Sequence, residues 1–248
     1  MKPKIWIYWD NKPGVTQPPE YVKLCWETIA KHCGESCDVH LVTTENVRHF
    51  LPDIDDIFFT IAQINNKSNY LRYHLLHEHG GVWLDSDLIV LKDLAPMLDL
   101  LRDEDNIDLV ATASPGLKYQ EPESGFIVSK SKGKLIARAV RYIDHMLSLH
   151  PPGHVFQWGS LGPACLRHAV KGHRYHHLDC RLMQPIKSWE AFKFGGIESL
   201  DNYYPDGYGW MLFHQMFVQG NSPILRMTRQ QLLESPMLIS QIFRKALA

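Results

Sequence analysis

Two aspartates separated by one residue, Asp85 and Asp87, follow the apolar stretch Val82-Trp83-Leu84, which is itself preceded by Gly80-Gly81. In extended backbone, residues two apart point the same way, so both carboxylates can face one ligand while Ser86 turns away. Converging carboxylates repel unless a cation lies between them. A small set of hard oxygen ligands suits Mg²⁺ or Mn²⁺, ions that complete their shells with water and substrate phosphates. The chemistry suggested is therefore binding of a nucleotide diphosphate. Taken alone, an Asp-x-Asp pair is common and reads equally well as a solvated strand end or a turn.

The neighbouring elements sharpen that reading. From about Asn66 to His79 the pattern is helical, with Leu71 and Leu75 at helical spacing and Leu76 widening the buried stripe. The paired glycines close this helix, and Val82-Trp83-Leu84 reads as a short buried strand that delivers the two aspartates. On the helix, Asn69 and Arg72 are three apart and share a face, so both can reach one ligand. Without the aspartates beside it, Arg72 reads as a surface ion-pair partner.

Ser68-Asn69-Tyr70-Leu71-Arg72 followed by Gly80-Gly81-Val82-Trp83-Leu84-Asp85-Ser86-Asp87 resembles the donor-site signature of the glycosyltransferases of capsular polysaccharide synthesis. Those enzymes are related to the clostridial cytotoxin glucosyltransferase domains and the yeast initiating mannosyltransferase. The resemblance implies an α/β, Rossmann-like GT-A domain with a DXD motif, dependent on Mn²⁺ or Mg²⁺, that transfers a sugar from a nucleotide diphosphate sugar. It covers most of residues 4 to 91. In the family the helix carries Ser-Asp-x-x-Arg, whose acidic residue and arginine hold the donor sugar; here Arg72 matches, while Asn69 keeps the size and loses the charge. Two other carboxylate-pair chemistries fit less well. Haloacid dehalogenase-type phosphatases place the pair near the chain start with Thr or Val two residues on, whereas Leu88-Ile89 follows here; nucleotidyltransferases need a longer spacer after the glycine.

The first stretch, Lys4-Ile5-Trp6-Ile7-Tyr8-Trp9, reads as a strand stopped by Asp10 to Gly14. Its aromatics are core residues on the plain reading. In the resembling family the last tryptophan of this strand stacks on the nucleotide base, which makes Trp6 core and Trp9 the stacking ring. Pro18-Pro19 opens a helix from Glu20 to about His32, Val39–Val42 is a second strand, and Thr44 is an N-cap with Val47 and Phe50 behind it. This alternation indicates a parallel sheet with ligands beyond the carboxyl ends of its strands. Leu88–Leu91 continues as a strand, a helix lies around Leu94–Leu101, and Asp108–Thr112 is a further strand.

The second half is less regular. Ser114–Ser124 reads as a polar loop in which Glu121 and Glu123 are acceptor-site candidates against a background of plain solvation. A strand at Phe126–Val128 and an amphipathic helix from Lys134 to Leu147 follow. Gly159 to Pro163 resembles the Thr-Gly-Pro turn that starts a helix in these transferases. His173, His176, His177 and Cys180 match no zinc spacing. Tyr208–His214 reads as a late strand, and by resemblance His214 is a third metal ligand, with a buried hydrogen-bonded histidine as the equal alternative. The tail from Gln230 on is helical except at Pro236. Its Leu238, Ile239, Ile242 and Phe243 face could lie on a membrane beside lipid-linked acceptors, although packing on the domain itself is the commoner use of such a face.

With 248 residues, 45% hydrophobic, 21% charged and a net charge of −1, the chain suits one α/β domain and has no global attraction to nucleic acid. Residues 1–112 are expected to form the nucleotide-sugar half and residues 113–248 the acceptor half with a helical tail. Five cysteines without a CxxC pair favour reduced thiols. The absence of a basic-apolar leader and of a long apolar run favours the cytoplasm, including its membrane face. The expected activity is hexosyl transfer, with retention by family precedent, to a glycan or glycolipid acceptor of capsular polysaccharide or lipopolysaccharide synthesis. Two alternatives stand: a non-catalytic sugar-nucleotide-binding subunit, and an interaction domain with a structural cation.

Overall fold

The computed structural model describes residues 2–102, 107–113, 121–203 and 207–248. Chain order begins β1 (Lys4–Tyr8), α1 (Glu20–Cys33), β2 (Asp38–Val42), α2 (Val47–Phe50), α3 (Ile57–Thr60), α4 (Ile64–His79), β3 (Gly81–Leu84) and β4 (Leu88–Val90). It continues β5 (Leu109–Ala113), β6 (Pro122–Ser129), α5 (Lys134–Ser148), α6 (Pro163–Val170), β7 (His176–Asp179), β8 (Gly209–Met211), α7 (His214–Gln219), α8 (Arg229–Glu234) and α9 (Leu238–Leu247). Six strands form one sheet in the order β2-β1-β3-β6-β5-β7. Pairing is parallel throughout except at β6, which runs antiparallel to both β3 and β5. The α/β class and mostly parallel sheet expected from the strand-helix alternation are thus observed.

Burial on both sheet faces explains why these strands are nearly continuous apolar runs. Trp6, Trp83, Leu109 and Ile127 face the layer of α4, α5 and α6, while Ile5, Val82, Val110 and Val128 face α1 and the 3₁₀ segment Ala95–Leu101. A third cluster joins α1 to α7, α8 and α9 around Trp210 and Phe243. The tail's Leu238, Ile239, Ile242 and Phe243 are all fully buried there. The tail therefore packs on its own domain, and that apolar face is not available to a membrane. Among the described residues, no helix is long and apolar enough to cross one.

The junction from α4 to β3 depends on its glycines. Gly80 and Gly81 have φ of 67° and 97°, and a Cβ on Gly81 would lie 2.3 Å from the Lys4 carbonyl oxygen. Only a residue without a side chain lets β3 start this close to β1. Trp6 fixes the same corner by donating its indole N–H to the Gly80 carbonyl at 3.0 Å.

Several expectations are corrected. Leu88–Val90 does not extend the main sheet but pairs antiparallel with Gly209–Met211 in a separate two-stranded sheet. Residues 114–120 of the expected polar loop lie outside the described residues, and its end, from Pro122, is already strand β6. Asn46, not Thr44, precedes the α2 turn, and Thr44 instead donates its backbone N–H to Asp10 at 3.0 Å. All five cysteines are free and buried.

Candidate active site

Asp85 and Asp87 leave the carboxyl end of β3 in a tight turn. The Asp85 N–H donates to the Gly125 carbonyl on β6 at 2.9 Å, and the Asp85 carbonyl accepts from Leu88 N–H at 3.1 Å. Gly125 leaves room for the carboxylate: a Cβ there would lie 3.1 Å from Asp85 Oδ2. The turn sends the chain into β4, held from below by a buried bond from Val90 N–H to the Thr28 hydroxyl of α1 at 3.0 Å.

Arg72 rises from α4 to meet Asp85. Its Nη2 donates to Asp85 Oδ1 at 2.6 Å, the Trp83 indole N–H donates to the same oxygen at 3.0 Å, and the guanidinium lies 5.2 Å from the Trp83 ring centre. Arg72 is 3% exposed, yet its Nε and Nη1 have no hydrogen-bond partner among the described residues. Buried guanidinium donors are costly to leave unmatched, so these two are open to an acceptor, whether water or a ligand oxygen. Asn69 is buried one turn earlier, where it donates weakly to Asn66 Oδ1 at 3.4 Å and lies under the Gly162 turn. Tyr73 ties that turn down by donating to the Gly162 carbonyl at 2.6 Å, and α6 starts directly after it, as the Gly-Pro pair implied.

Asp87 sits in a different environment. Its Oδ2 accepts from the backbone N–H of His214 at 2.5 Å, and its carbonyl accepts from Leu212 N–H at 3.1 Å. Burial, with the Asp85 carboxylate adding to it, pushes Asp87 up to about 6. The β4–β8 ladder thus carries His214 to the aspartate turn. Phe213, between β8 and α7, adopts a left-handed conformation with φ 59° and ψ 59°, rare for a bulky residue and found at sites that need an exact chain direction. Burial lowers His214 to about 4, so its ring is neutral at ordinary pH. His214 Nδ1 pairs with the Tyr21 hydroxyl, and its ring packs edge-on against Trp9 with centroids 5.3 Å apart. Trp9 is half-buried just beyond β1 and donates its indole N–H to Asn11 Oδ1 at 2.8 Å. Trp6, in contrast, is wholly buried.

The structure brings Asn69 and Arg72 to one side of the aspartate turn and His214 and Trp9 to the other. Sequence reasoning missed three contributors. Tyr21 was hidden inside an ordinary amphipathic helix, and Gly125 inside an apolar strand. Gln184, 8% exposed, donates its amide to Glu123, which stands two residues before Gly125 on the same side of β6. Glu121 is instead exposed and paired with Arg167 at 3.0 Å.

The donor set suits Mg²⁺ or Mn²⁺ supported largely by its substrate: two carboxylates repel each other at the turn, and among the described residues no three His, Cys, Asp or Glu side chains converge as a closed cage.

A sequence profile described as "Capsular polysaccharide synthesis protein" matches residues 1–137, more than half of the chain. The chain belongs to that family. No curated protein sequence matches it. Similar solved structures include "PaToxG Glycosyltransferase" at 12% identity, covering 99% of this chain and 86% of that one, with a TM-score of 0.46. The glycosyltransferase GlyE of Streptococcus pneumoniae is similar at 13% identity over 100% of this chain and 61% of its own, with a TM-score of 0.49. A galactosyltransferase, LgtC, solved with donor and acceptor sugar analogues, is similar at 13% identity over 72% of this chain and 74% of its own, with a TM-score of 0.45.

Proposed function

We propose that the protein is a metal-dependent GT-A glycosyltransferase that moves a sugar from a nucleotide diphosphate sugar to a glycan or lipid-linked glycan acceptor in surface polysaccharide synthesis. The observation that carries this reading is the pairing of buried, unmatched Arg72 donors with a carboxylate turn at the carboxyl ends of β1 and β3. Residues 1–112 supply the nucleotide-sugar side and residues 113–248 the acceptor side, with the protein working in the cytoplasm.

In this reading Trp9 covers one face of the base, a stacking contribution of about 1–3 kcal/mol. Arg72 turns its unmatched N–H groups to the sugar or diphosphate oxygens, and Asn69 lines the sugar's far side. Asp85 and Asp87 would hold Mn²⁺ or Mg²⁺; the His214 ring, paired through Nδ1 with Tyr21, does not converge with them as the third ligand that the resemblance implied, so substrate and water oxygens would complete the shell. A bound divalent ion would neutralise charge developing on the leaving diphosphate. Glu123, steadied by Gln184, faces the acceptor, and transfer proceeds with retention.

Thermal shifts with a panel of nucleotide sugars, with and without Mn²⁺, test the reading, since a ligand that binds only the folded chain raises its melting temperature. One nucleotide sugar should stabilise the protein in a Mn²⁺-dependent manner and be consumed when acceptor glycans are added. If no nucleotide stabilises it, the reading fails. Asn69 supports a second reading, a binder that has lost transfer; a stabilising donor that is neither transferred nor slowly hydrolysed would select it.

A further inference from the structure

The face of α4 that points away from the aspartates lines a second cleft. Tyr70, His74 and His77 recur at the spacing that places them along one helix stripe, opposite the side bearing Arg72. With Asp144 and His145 of α5 and the segment from Phe50 to Ile57, they enclose a cleft of about 640 Å³. Small-molecule sites span roughly 300–1,000 Å³.

The chemistry of its lining is one-sided. Asp53, Asp55, Glu78 and Asp144 contribute carboxylates, and no Lys or Arg is among the described lining residues. Glu78 is already paired with Lys132. Asp144 Oδ1 pairs with His74 Nε2 at 3.0 Å, and Asp55 Oδ1 accepts from Ile57 N–H at 2.8 Å, so each retains a second oxygen. Tyr70 gives an independent sign of a ligand. It is 1% exposed and its ring is stacked on His74 at 4.0 Å, yet its hydroxyl has no hydrogen-bond partner among the described residues. Burial and then the charges of Asp144 and Asp55 push the Tyr70 phenol up, and all three residues line the same cleft.

An anionic ligand such as a nucleotide sugar would meet four carboxylates here, with histidines as the one potential source of positive charge among the described lining residues. A bare metal ion lacks a three-residue cage among the described side chains. A primary ammonium offers three donors and no acceptor. That count matches the free oxygens of Asp55 and Asp144 and the Tyr70 hydroxyl. We propose that this cleft binds a primary ammonium carried on a small scaffold, either a polyamine or a sugar unit with a free amine. The inference does not depend on the activity proposed for the aspartate site.

Titration calorimetry on the full chain tests it with three probes: spermidine, a β-1,4-linked glucosamine tetramer, and the same tetramer N-acetylated. At least one amine should bind saturably, and the acetylated tetramer should not. Spermidine alone would mark the polyamine source, and stronger binding of the free-amine tetramer the sugar source. Tyr70→Phe removes only the hydroxyl and should weaken binding about five- to tenfold, about 1–1.4 kcal/mol. Asp144→Asn and Asp55→Asn, at more exposed positions, should weaken it by at least as much, and about 0.5 M salt should do the same in the wild type. No saturable amine binding, equal binding of the acetylated tetramer, or unchanged binding in all three variants would each overturn the proposal.

Discussion

Asp85 and Asp87 are two residues apart and occupy opposite electrostatic surroundings. At Asp85 the protein supplies its own neutralisation, with Arg72 and the Trp83 indole both donating to one oxygen. At Asp87 it supplies backbone N–H groups, that of His214 foremost, and no paired cation among the described residues, and the carboxyl is pushed up to about 6. A folded chain tolerates such a group when something outside the chain completes it. The difference divides the roles in the proposed function: the cation would belong chiefly to the Asp87 corner, and the anionic or hydroxyl-bearing part of the ligand to the Arg72 corner.

The largest expected effect breaks the Asp87 corner. Asp87→Asn should lower transfer about a thousandfold or more, because several kcal/mol of leaving-group stabilisation disappear; near-normal turnover would refute the metal assignment. The same variant should be the more stable protein without metal. Because the folded value lies above the ordinary 3.8, ionising Asp87 costs the folded state. The penalty is absent below about pH 4, grows as pH rises through 6, and reaches at most about 3 kcal/mol. Melting curves in chelator should therefore show Asp87→Asn gaining on wild type between pH 4 and pH 7, and equal melting across that range would contradict the buried carboxylate.

At the other corner, Arg72→Lys keeps the charge and loses the planar fork, and should reduce kcat/KM about ten- to a hundredfold. A full-activity lysine variant would show that the unmatched donors have no ligand. Trp9→Ala should raise KM about tenfold with little change in kcat, since base stacking is remote from the reacting carbon. Trp6→Ala, by contrast, should cost about 3–5 kcal/mol of stability. If Trp9→Ala melts early and binds nucleotide normally, the roles of the two rings are exchanged. The smallest effect is expected at Asn69, where Asn69→Asp should lower activity on the native donor severalfold; a gain would mean that asparagine marks decay instead of adaptation to a particular sugar.

What could be read in the sequence was local. The periodicity of α4, its glycine closure and the strand behind Asp85 all lie within about two dozen residues, so composition and spacing carry them. Arg72 and Asp85 are 13 positions apart, and the helix-turn-strand unit alone brings them together. The Asp87 corner resisted because its partners arrive from afar: Tyr21 reaches His214 across 193 positions. Leu88–Val90 was apolar enough for either sheet, and only its pairing with β8 decides between them. Thr44 looked like a helix cap because its hydroxyl could serve one, but Asp10 is the stronger partner. Pro122 signalled loop, yet it opens a strand at its first position, where a missing N–H is tolerated.

The β4–β8 ladder has a further consequence for how the protein is made. The bond from His214 to Asp87 spans 127 positions. A ribosome that has released only the stretch matched by the family profile has therefore exposed Arg72, Asp85 and Trp9, but not the segment that seats Asp87. If the proposed transfer is right, nascent chains should be unable to act on a sugar nucleotide until about residue 214 has emerged from the exit tunnel.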